Sequence, residues 1–122
     1  MIQRIFVFYW ILCFAVTHVP LRGQEPPIPG LDKVIHLALY GILAALFYFS
    51  IKSKKAPLRI QLKTTALVLV LYSLVDEITQ PLVGRSCDGW DLLADWIGLS
   101  IGLWVAVKIS HGSSDGQSQR PL

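Results

Sequence analysis

Four apolar runs, each closed by charged or proline-containing residues, constrain this chain more than anything else in it. They extend over about Ile5–Val19, Lys33–Ile51, Gln61–Gln80 and Asp88–Lys108. About 20 apolar residues match the hydrocarbon thickness of a bilayer when helical. In that solvent no water satisfies backbone N–H and C=O groups, which leaves helices and closed barrels as the stable spanning structures. Of the 122 residues, 53% are hydrophobic and only 16% are charged, against about 25% charged in soluble domains. The expected fold is therefore an all-α integral membrane protein, a compact bundle of four transmembrane helices.

The ends of the runs carry their own signals. Arg4 precedes the first run, and Thr17-His18-Val19-Pro20 follows it without a small-x-small cleavage pattern. A retained span is expected rather than a signal peptide. Gln24–Gly30, with three prolines and a glycine, reads as a loop. Lys52–Pro57 ends the second run, and Pro81 stops the third, because proline cannot continue a helical hydrogen-bond ladder. Residues 1–109 are read as one membrane domain. Residues 110–122, rich in Ser, Gly and Gln, are read as a disordered cytoplasmic tail.

Basic residues set the expected direction. Lys52, Lys54, Lys55, Arg59 and Lys63 crowd the link between the second and third runs, which places it in the cytoplasm by the positive-inside rule. Arg4 and Lys108 then fall on the same side, so both termini are expected to be cytoplasmic, in a multi-pass protein of the inner (plasma) membrane. The lipid bilayer is the expected partner. A net charge of +3, small and scattered, gives no reason to expect nucleic-acid binding. Cys13 lies within an apolar run and Cys87 in a loop, so no disulfide is expected and the spacing is not that of a metal site.

The opposite ends of the runs hold the ionisable residues. Asp32, His36 and Tyr40 recur at four-residue spacing, which puts them on one helical face beside Lys33. Asp76, Glu77 and Gln80 end the third run, where the helix dipole disfavours carboxylates. They call for a cation: Lys33, Arg85, a metal ion or a ligand. Asp88, Asp91 and Asp95 share a face of the fourth run. Capping accounts for Asp88 and partly for Asp91, but not for Asp95, two turns down. Six acids (Asp32, Asp76, Glu77, Asp88, Asp91, Asp95) against Lys33 and Arg85 leave four negative charges with histidine neutral. Charged groups at membrane depth are costly and mark a functional site by default.

The candidate proton-exchanging and anion-holding residues are His36, Glu77 and Arg85. Asp32, Lys33, Tyr40, Asp76, Gln80, Asp88, Asp91 and Asp95 are supporting or ligand-binding candidates. Two readings stand side by side: a site for acid–base work or cation binding, and an ion-pair network that locks helices together. No metal motif matches the spacing, no metal ligand is assigned, and the residues identify no cofactor. Gly98-x-x-x-Gly102 marks close packing, either within the bundle or between protomers.

Taken together, Asp32-Lys33-x-x-His36-x-x-x-Tyr40, Asp76-Glu77-x-x-Gln80, Gly84-Arg85 and Asp91-x-x-Ala94-Asp95-x-x-Gly98 resemble the VanZ-like family of small bacterial membrane proteins. The resemblance covers residues 31–107. It departs at Asp95, where many such sequences carry asparagine. The resemblance implies a four-helix membrane protein of the cell envelope. It also implies a link to antibiotic resistance, namely teicoplanin susceptibility, with a lipid-linked envelope precursor or a lipoglycopeptide as partner.

Overall fold

The computed structural model describes residues 1–20, 28–53 and 55–115. Among the described residues all regular secondary structure is helical, with α1 (Ile2–Thr17), α2 (Leu31–Ile51), α3 (Leu58–Thr79) and α4 (Gly89–Asp115), and one 3-10 turn at Gln80–Val83. The expected all-α membrane bundle is the observed fold. Three segments, Leu31–Ile51, Leu58–Val83 and Gly89–Gly112, are long and apolar enough to cross a membrane. With 16 residues, α1 is shorter, about 24 Å at 1.5 Å per residue. Most of the expected Gln24–Gly30 loop lies outside the described residues.

Burial confirms what solvent this bundle suits. Among the described residues, as many polar or charged side chains are buried as apolar ones. Large apolar groups such as Ile42, Leu67, Leu71, Ile78 and Ile101 are left exposed on the outside. A water-soluble domain buries its apolar side chains first, because their removal from water drives folding. Here the outer surface is hydrocarbon and the polar groups are gathered within.

The helices alternate in direction. Phe6 of α1 stacks on Phe47 of α2 at 4.9 Å, while Tyr9 near mid-helix donates to the Leu39 carbonyl at 3.2 Å, so these two run antiparallel. Lys33 meets Asp91, His36 meets Asp95, and Tyr48 meets Ser110, so α2 and α4 run parallel along their whole length. Their closeness has a specific cause. A Cβ placed on Gly98 would overlap the Leu37 carbonyl oxygen, and one on Gly102 would overlap that of Gly41. The glycine pair therefore packs within the bundle, against α2.

Two turns shape the ends. At the basic end, Gln61 is buried and its amide donates to the Ser53 and Ala56 carbonyls at 3.0 and 2.7 Å, tying down the α2–α3 link. At the other end, the 3-10 turn closes on Gly84, whose φ of 80° suits a residue without Cβ. That reversal carries Arg85 back over the bundle. The structure also differs from expectation at the C-terminus. Helix α4 continues through Asp115, beyond the expected end near Lys108. Extending an existing helix adds one hydrogen bond per residue fixed, and Ser110 is buried beside the Tyr48 hydroxyl. Residues 116–122 lie outside the described part.

Candidate functional site

All eleven candidate residues come together at the end of the bundle opposite the basic link. They form two layers.

The outer layer contains the permanent cations. Arg85 donates from Nη2 to Asp32 Oδ1 at 2.7 Å. Lys33 Nζ bridges Asp88 Oδ2 at 2.8 Å and Asp91 Oδ1 at 2.9 Å. Asp88 Oδ1 also accepts the Trp90 N–H at 2.9 Å, so it caps α4 as its position suggests. Its carboxyl is held below the usual carboxylate range by the Lys33 ammonium. Asp32 makes no capping bond to α2; its charge is directed to Arg85 instead. Neither Lys33 nor Arg85 pairs with Asp76 or Glu77, the acids for which a compensating cation was sought.

The inner layer contains His36, Tyr40, Asp76, Glu77, Gln80 and Asp95, all at 3% exposure or less. His36 Nδ1 lies 2.8 Å from Asp95 Oδ1, joining α2 to α4. Glu77 accepts the backbone N–H of Asp88 through Oε1, joining α3 to the start of α4. Asp76 is held from the other side: Thr17 Oγ1 donates to its Oδ1 at 2.8 Å, and His18 Nδ1 lies 3.6 Å away. Tyr40 stacks on Tyr72 at 5.8 Å, which lines the floor with aromatic rings.

Several buried polar atoms in this layer have no hydrogen-bond partner among the described residues. They are His36 Nε2, the Tyr40 hydroxyl, one oxygen each of Asp76, Glu77 and Asp95, and both amide atoms of Gln80. Buried polar groups are almost always paired, so each exception calls for an explanation. These exceptions all fall in one cluster. The potential ligand atoms of His36, Glu77 and Asp95 lie within 4.8 Å of one another, and so do those of Asp32, His36 and Asp91. Beside the cluster lies a cleft of about 520 Å³ lined by Asp88, Gly89, Trp90, Leu92, Leu93 and Trp96.

Sequence reasoning missed Thr17 and His18, which were weighed only as a cleavage pattern. Their signal was available, since both are polar residues at the end of an apolar run. Trp96 and Ser73 were also missed as a pair; the indole N–H donates to the hydroxyl at 3.0 Å and links α4 to α3. Trp10, half-buried, packs edge-on to Tyr72 at 5.2 Å.

An apolar-walled helical bundle with a buried polar cluster at one end defines a multi-pass membrane protein. The model of the VanZ/LLP1 family matches residues 4–110, and the chain belongs to that family. No curated protein and no solved structure shows a significant match to it.

Proposed function

We propose that this protein acts in the bacterial cell envelope, through an outward-facing polar site that receives the polar head of a lipid-linked precursor. Such a role links it to envelope metabolism or to teicoplanin susceptibility. The observation that carries the reading is the pairing of His36 with Asp95. A carboxylate on Nδ1 orients the imidazole and leaves Nε2 free for proton transfer, the arrangement used by acid–base histidines. Glu77, with one buried oxygen that has no partner among the described residues, is the second proton-exchanging group. Arg85 recognises an anionic group by exchanging its Asp32 partner for the ligand.

The outward orientation rests on the basic end of the bundle, where Lys52, Lys55, Arg59 and Lys63 gather. The cleft lined by Trp90 and Trp96 is the route by which a lipid-borne head would enter.

A second reading has its own support. The same contacts tie α1 to α3, α2 to α4 and α3 to α4, as a purely structural lock would. The experiment is expression of the wild type and of His36→Ala, Glu77→Ala and Arg85→Ala variants in a teicoplanin-sensitive bacterium. Membrane levels are checked by blot, and minimum inhibitory concentrations are read for teicoplanin and vancomycin. The expected result is raised teicoplanin tolerance with the wild type, lost in variants that accumulate normally. No change with well-expressed wild type removes the resistance role, and a loss that only tracks protein level favours the lock.

A further inference from the structure

We infer that His36, Glu77 and Asp95 form a binding site for one first-row divalent cation of the zinc or manganese kind, set between α2, α3 and α4. The inference shares the cluster of the proposed function but rests on ligand geometry alone and needs no envelope substrate.

The three side chains come from three helices, are 1%, 3% and 0% exposed, and bring their ligand atoms within 4.8 Å of one another. Ligands about 2.0–2.2 Å from a shared zinc ion lie up to about 4 Å apart, so small side-chain rotations close the set. The acids are not the only evidence. Among the described residues, His36 Nε2 and the Gln80 amide are fully buried without a partner, although each is a strong hydrogen-bonding or ligating group.

Charge points the same way. Lys33 and Arg85 are engaged by Asp88, Asp91 and Asp32 in the outer layer. Among the described residues no lysine or arginine pairs with the inner carboxylates. Two carboxylates and a neutral imidazole carry two negative charges, which one divalent ion cancels. Bare ionised carboxylates at this burial are costly unless paired or coordinating a metal.

The donor set narrows the ion. Calcium takes six to eight oxygen ligands, whereas one imidazole with two carboxylates suits borderline first-row ions. Gln80 lies three residues beyond Glu77, about one turn, and Tyr40 four beyond His36, so both are placed to orient a ligand or an ion-bound water. A ligating imidazole must be neutral and a ligating carboxylate ionised, so loading competes with protons and binding weakens in acid, where His36 becomes imidazolium.

The test uses full-length, tag-free protein in detergent, stripped with chelator. Zn²⁺ is titrated by calorimetry and Mn²⁺ by electron paramagnetic resonance, with Ca²⁺ as competitor. The expected result is one ion per chain, not displaced by Ca²⁺, with Glu77→Gln and Asp95→Asn each weakening Kd by about tenfold or more. Both substitutions nearly preserve shape, and their helical circular dichroism and melting should match wild type. His111→Ala, at an exposed histidine remote from the cluster, should leave binding unchanged. Absence of stoichiometric binding by folded wild type overturns the inference, as does binding that survives both cluster substitutions. A teicoplanin phenotype without ion binding refutes the ion site and leaves the envelope role standing. Ion binding without a phenotype supports the ion site and removes the resistance role.

Discussion

Replacing Gly102 with alanine is expected to be among the most damaging single-methyl changes this protein can undergo. The added Cβ would lie 2.7 Å from the Gly41 carbonyl carbon and overlap its oxygen. At Gly98 the new atom would lie 2.9 Å from the Leu37 carbonyl carbon, with the same overlap. The obstacle is backbone, which cannot swing aside as a flexible side chain would. Alanine's higher helix propensity offsets about 1 kcal/mol. Overpacking a close interface typically costs about 1–3 kcal/mol, and the whole α2–α4 seam must separate to relieve it. By comparison, interhelical hydrogen bonds in membranes average about 0.6 kcal/mol. Packing at this glycine pair thus outweighs any one polar link in the cluster. Gly102→Ala and Gly98→Ala should each lower the detergent melting temperature and membrane level, and the double substitution should abolish folded protein. Gly112→Ala is the control, since nothing lies within 4 Å of its Cβ position, and it should be neutral or slightly stabilising. Equal stability for Gly102→Ala and Gly112→Ala would show that α2 and α4 do not approach in this way.

That seam also shows where sequence reading stops. The apolar runs predict the helices well, because a bilayer permits so few backbone conformations. The four-residue spacing of Asp32, His36 and Tyr40 correctly assigns them one face. Which helix that face meets is a different matter. Alternating spans already make α2 and α4 parallel, but nothing in the spacing says that they pack side by side, so the pairing of Lys33 with Asp88 and Asp91, and of His36 with Asp95, was not legible. Net charge had the same weakness. Counting acids against Lys33 and Arg85 correctly shows an excess of carboxylates, but not that both cations are taken by the outer layer. The C-terminal boundary failed for another reason. Ser, Gly and Gln weaken a helix without ending it, and Gly112 lies within α4 rather than after it.

Cutting α1 away should disable the site as well as the fold. The helix is short for a bilayer span, yet it is built into the bundle along its whole length. Phe6 stacks on Phe47, Trp10 meets Tyr72 edge-on, and Cys13 is completely buried. At its end Thr17 donates to Asp76 at 2.8 Å, and His18 Nε2 lies 2.9 Å from the Thr79 hydroxyl. Without α1, Asp76 would lose its nearest donor and its neighbouring imidazole, and the aromatic face of α2 and α3 would open to lipid. Deletion of residues 2–20, with an initiating methionine kept, should therefore leave little folded protein in the membrane. A milder change isolates the polar contribution. Thr17→Val keeps the shape but removes the donor, and should destabilise by about 1–2 kcal/mol, the upper range for hydrogen bonds between membrane helices. Thr17→Ser keeps the hydroxyl and should restore most of the loss, which a packing defect alone would not allow. An epitope at the N-terminus supplies the complementary measurement: it should remain attached to the full-length membrane protein, as a helix embedded in the site requires. A tag cleaved off, with a stable and active remainder, would mean that α1 serves only in targeting and that Asp76 is held by other means.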